Sequence, residues 1–76
     1  MRATKAQLEL TARMQAAWEA GFEHYRDRPD DILTEVHRLA SRQHVDKREA
    51  FAFVEGYQTA RLQRDEYERE KNLQTK

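Results

Sequence analysis

Ala17-Trp18-Glu19-Ala20-Gly21-Phe22-Glu23-His24-Tyr25-Arg26 returns thirty-five residues later as Ala52-Phe53-Val54-Glu55-Gly56-Tyr57-Gln58-Thr59-Ala60-Arg61. Ala, Gly and Arg coincide in the two stretches, and in each an aromatic residue stands three positions before the glycine and another one after it. Both glycines fall where helix formers dominate, so each costs about 1 kcal/mol relative to alanine. Close approach of two helices offsets such a cost: Ala17 and Gly21, and Ala52, Gly56 and Ala60, are small residues one turn apart, a strip against which another backbone can lie. The spacing therefore predicts that the helices carrying these five residues cross there. Chance likeness of two amphipathic helices is the alternative, and two copies are too few for a solenoid of helix-pair repeats.

Working outward from the echo, three helices account for the chain. Thr4 is a candidate N-cap for a first helix over about 4 to 25, in which Leu10, Met14, Ala17, Trp18, Gly21, Phe22 and Tyr25 gather into one arc about 140° wide. Pro29 disfavours helical geometry at Arg28, and Asp30 or Asp31 would cap a second helix over about 30 to 43, with Ile32, Leu33, Val36, Leu39 and Ala40 on one side. Asp46 and Glu49 have capping-box spacing, with Val45 placed to staple onto Ala50, so a third helix is expected over 46 to 71. Its main stripe is Ala50, Phe53, Val54, Tyr57 and Ala60. Seven charged residues of mixed sign between Gln63 and Lys71 make 63–76 a charged, fraying helical tail. The fold class expected is all-α: a helical hairpin plus an N-terminal helix, one domain over 1–76.

The chain has 76 residues, a size at which a lone core is marginal. It has no cysteine, so no disulfide supplements that core, and a reducing, cytoplasmic location is the expectation. No apolar run reaches the roughly 18 residues of a membrane span, and Met1 to Lys5 does not lead into a signal-peptide core. Lys plus Arg and Asp plus Glu number 14 each, and the signs do not segregate along the chain. A nucleic-acid binder ordinarily shows a basic face, because counterion release supplies much of its affinity. That class loses weight here.

Sites for chemistry are scarce. His37 and His44 could share a helix face, but with His24 as the one other imidazole no carboxylate or cysteine completes a recognisable metal set. Asp30-Asp31 just after a proline fits helix capping better than acid and base catalysis. No glycine loop cradles phosphate, and no serine has the setting of a nucleophile. We expect no enzyme activity, no metal and no cofactor.

Surplus apolar surface is the stronger signal. Phe51 and Leu62 lie about 100° to 120° from the main stripe of the third helix, and Tyr67 lies beyond it. With Glu55, Gln58, Arg61 and Arg64 they form an aromatic-plus-arginine composition typical of protein interfaces. These seven residues are the expected partner-binding or dimer surface, with a homodimer favoured. The function expected is regulation by binding, and inhibiting, another protein.

Two resemblances bear on the rivals. Leu39-Ala40-Ser41-Arg42-Gln43-His44-Val45-Asp46-Lys47-Arg48-Glu49-Ala50 resembles the opening αα-hairpin of HU-type DNA-bending proteins, which implies a DNA-binding accessory using the helix-turn-helix-like segment 32–61. Against this stand Phe51, Phe53 and Glu55 on what would be the recognition helix, and nothing after it resembles the β-arms of that family. The Phe53-x-x-Gly56-Tyr57-x-x-Ala60-Arg61 pattern, in a very short and highly charged chain, is similar to the small helical accessory proteins of phages and prophages. It faintly resembles ribosome modulation factor as well, but that family is strongly basic and this chain is neutral. The phage-type resemblance implies a protein that binds and inhibits or redirects a host or defence protein, and assigns no residue a role. A structural assembly factor is the remaining alternative.

Overall fold

A computed structural model describes residues 4–74. It contains α1 (Lys5–Asp27), α2 (Leu33–Gln43) and α3 (Lys47–Gln74), an all-α fold. Met1 to Ala3 and the tail positions 75 and 76 lie outside the described residues.

α1 starts at a complete capping box: the Gln7 amide donates to the Thr4 hydroxyl (3.2 Å) and the Gln7 side chain accepts from the Thr4 amide (2.9 Å). α2 begins later than expected, at Leu33, after an N-cap Ile32 that offers no side-chain hydrogen bond. Asp30 and Asp31 therefore do not cap it. Asp30 is exposed, and Asp31 is drawn instead to His24, 2.6 Å away, because the turn at Pro29 reverses the chain over the end of α1. Asp46 does cap α3, its carboxylate accepting from the Arg48 amide at 2.8 Å. Glu49 does not close the box; it turns to Arg13 of α1 (3.3 Å) and to His44 (3.6 Å). Val45 staples onto nothing and is fully exposed. α3 then runs to Gln74, past the end expected at 71.

Among the described residues α1 packs on α3 and α2 packs on α3, and α1 and α2 do not pack on each other. Arg13 meets Glu49 near the start of α3, and Phe22 and Arg26 lie beside Arg64 and Tyr67 further along it, so α1 and α3 run in the same direction. α2 runs back along α3 in the opposite direction, its start near Tyr57 and Arg61 and its end near Lys47 and Ala50. The core is Ala17, Tyr25, Val36, Ala40, Ala52, Phe53, Val54, Tyr57 and Ala60, with Met14, Trp18, Phe22, Leu33 and Leu39 half-buried around it. The Cα radius of gyration is 15.2 Å, against about 11 Å for a compact chain of this length.

α1 and α3 touch backbone to backbone. A Cβ built on Gly21 would lie 1.8 Å from the Phe53 carbonyl oxygen, and one built on Gly56 would lie 1.9 Å from the Trp18 carbonyl oxygen. The contact is reciprocal: each glycine faces the carbonyl of the aromatic residue that precedes the other glycine by three. Ala17, Gly21, Ala52, Gly56 and Ala60 are all buried along this seam. No positive φ is involved, so these positions need glycine for space alone. Alanine at an exposed helical glycine stabilises by about 1 kcal/mol, but Gly56→Ala should lower stability by about 2 kcal/mol, since the added methyl overlaps a backbone atom that cannot rotate away. Urea denaturation checks the sign, and an unchanged or raised midpoint would refute the crossing.

Candidate interaction surface

Two regions merit attention as sites, a polar cluster at the α1–α2 connector and the outward face of α3. In the cluster, the His24 imidazole holds the Asp31 carboxylate, the Tyr57 hydroxyl donates to the Asp31 carbonyl, and Tyr25 packs edge-on against Tyr57 with ring centroids 5.1 Å apart. His24 and His44 rest against Phe53, with centroids 5.8 and 5.6 Å away. Asp31 is thus gripped twice, by side chains from α1 and α3, which ties the connector to both helices. Among the described residues no group of three or more His, Cys, Asp or Glu side chains is placed to hold a metal ion. The geometry is that of a tether.

Tyr57 is also the residue whose ionisation the fold perturbs. Burial raises its pKa above the ordinary 10.0; Arg61 opposes the rise and Asp31 adds to it. A pKa raised on folding stabilises below the unfolded value and loses that contribution as the pH climbs through the folded one. Tyr57→Phe should cost about 1 kcal/mol near neutrality through the lost hydrogen bond.

The outward face of α3 is set by its packing. Ala52, Phe53, Val54, Gly56, Tyr57 and Ala60 are buried against α1 and α2, whereas Phe51, Glu55, Gln58 and Leu62 are exposed. At about 100° per residue those four fall within about 60° of one another, on the side turned away from both neighbours. Phe51 and Leu62 are each 63% exposed. Leu73, 68% exposed, continues the same line: Phe51, Leu62 and Leu73 stand eleven residues apart, three helical turns plus about 20°. From Arg61 onward every described residue is exposed.

The other three residues expected on this surface lie elsewhere. Tyr67 is about 160° round the helix from Phe51 and sits with Arg64 beside Phe22, Tyr25 and Arg26 of α1. Arg61 lies at the connector, near Tyr25, Asp31 and Leu33. Arg64 is engaged along its own helix by Glu68, 3.2 Å away. The grouping of all seven rests on their aromatic-plus-arginine composition, which does not tell one side of the helix from another. It also passed over Leu73, for which the eleven-residue spacing was the available signal.

Comparison with protein-family models, with curated proteins and with solved structures finds no match. Among the described residues no helix is long and apolar enough to cross a membrane.

Unfolding followed between about pH 8 and pH 11 tests the tether: the stability difference between parent and Tyr57→Phe should shrink as the pH rises past 10, and a constant difference would contradict burial as the cause.

Proposed function

We propose that the chain is a small regulatory protein without catalytic activity that acts by binding protein through the outward face of α3. The observation that carries this reading is the imbalance on that helix. Its inner side buries Phe53, Val54 and Tyr57 among the small residues Ala52, Gly56 and Ala60, while Phe51, Leu62 and Leu73 stand in solvent on the outer side. Aligned apolar side chains rimmed by charge are the usual mark of a protein-binding surface. Inhibition or redirection of the bound protein is the role that the phage-type likeness suggests, and a chain that needs no disulfide suits the cytoplasm.

DNA binding draws no support from this face. By their helical angles Glu55, Asp65 and Glu66 share it with Lys47, Arg48 and Arg69, so it offers a phosphate backbone no net positive charge. The weight therefore stays with a protein partner.

Light scattering and affinity capture, each run on the parent and on Phe51→Ser/Leu62→Ser, test the proposal. The parent should form a protein complex, with itself or with another chain, that the variant weakens at least tenfold while keeping its helical circular dichroism. Equal complex formation by both, or none by either, would overturn it.

A further inference from the structure

We infer that the protein bound on the outward face of α3 is a second copy of this chain, lying antiparallel along the helix with the two-fold axis at Leu62. The inference rests on the reading that this face binds protein, and it follows from how the face is ordered about its midpoint.

Phe51 and Leu73 are equidistant from Leu62, and so are Glu55 and Arg69. Rotation by a two-fold axis through Leu62 sets each residue against its counterpart in an isologous contact. Phe51 meets the partner's Leu73, Leu62 meets the partner's Leu62, and Glu55 meets the partner's Arg69. The intervening Gln58 faces the partner's Glu66, an amide against a carboxylate. Each of the three apolar residues meets an apolar counterpart, and Glu55 meets a charge of opposite sign.

Charge decides the orientation. A parallel pairing would align the same three apolar residues equally well, but it would put Glu55 against the partner's Glu55 and Arg69 against the partner's Arg69. Like charges directly opposed across an interface are strongly unfavourable. Neither Glu55 nor Arg69 has an ion-pair partner among the described residues, so both charges are free to pair across the axis. Shifting the antiparallel register by eleven residues in either direction leaves Phe51 or Leu73 uncovered.

The shape of the helix agrees. An eleven-residue repeat is close to the natural period of an α-helix, so the stripe drifts by only about 40° over its roughly 33 Å, and two copies stay in contact along it with a slight right-handed twist. α1 and α2 lie behind α3, which leaves room for another helix in front. Beside Phe51, a shallow hollow of about 210 Å³ bordered by Ala40, Ser41 and Val54 offers a seat for the partner's Leu73.

The chain has no cysteine, so single cysteines report the geometry directly. Under mild oxidation Leu62→Cys should close into a disulfide dimer, because position 62 faces itself across the axis, whereas Gln63→Cys, about 100° round the helix, should not. A mixture of Phe51→Cys and Leu73→Cys chains should cross-link to each other in preference to themselves; self-linking of each would signal the parallel arrangement and overturn the inference. Glu55→Arg and Arg69→Glu should each weaken self-association by about tenfold, and the double exchange should restore it. A parent that stays monomeric by light scattering at tens of micromolar refutes the second copy. If that monomer still captures another protein through Phe51 and Leu62, the binding reading stands and only the self-pairing fails; if it captures nothing, both fail.

Discussion

The contact between Gly21 and Phe53 on one side, and Gly56 and Trp18 on the other, fixes everything else in this fold. Two helices whose surfaces meet through side chains can slide by one ridge into the next groove and keep most of their contacts. Two helices whose backbones touch at glycines cannot slide so freely, because a shift would bring side-chain-bearing residues to the points where Gly21 and Gly56 leave no room for a Cβ. Register and separation are therefore set by the absence of two side chains. The aromatic residues beside the glycines then fall where they close the sides of the seam: Tyr25 and Tyr57 edge to face, Trp18 and Phe22 stacked with centroids 5.4 Å apart.

Close approach has a price in volume. A seam made of Ala17, Gly21, Ala52, Gly56 and Ala60 has little interior to fill, so few large side chains fit inside it. The hydrophobic content of α3 divides accordingly. Phe53, Val54 and Tyr57 go inward to α1 and α2, and Phe51, Leu62 and Leu73 are left on the opposite side, mostly exposed among the described residues. Burying such side chains is worth about 1.5 to 3 kcal/mol each, a large increment for a chain near the lower limit of independent stability. The interaction surface is thus the counterpart of the tight core, and both are consequences of how the small residues are distributed.

Much of this was legible in the sequence. The echo around Gly21 and Gly56 signalled two like helices, and the periodicity of Val36, Ala40, Phe53 and Tyr57 marked the faces that are buried. What escaped depended on the path of the chain between helices. Asp31 has the local signature of a cap, and nothing in the spacing says that the turn at Pro29 brings it back onto His24, seven positions earlier. Glu49 looked committed to a capping box until Arg13, distant in sequence, came within reach. Tyr67 was assigned to the outer face because the tail was read by composition; its angular position points to the α1 side, where Phe22 and Tyr25 lie near it.

The order of the helices along the chain has a consequence for synthesis. α1 emerges from the ribosome before α2 and α3, yet among the described helices it packs on α3 alone, which follows α2. Until the chain has been extended through Ala60, Trp18 and Phe22 have no surface to rest on, and α2, which arrives in between, offers none. At translation speeds of about 5 to 20 residues per second, the nascent chain spends seconds with an amphipathic helix uncovered, and it completes its fold in a single late step when the glycines meet.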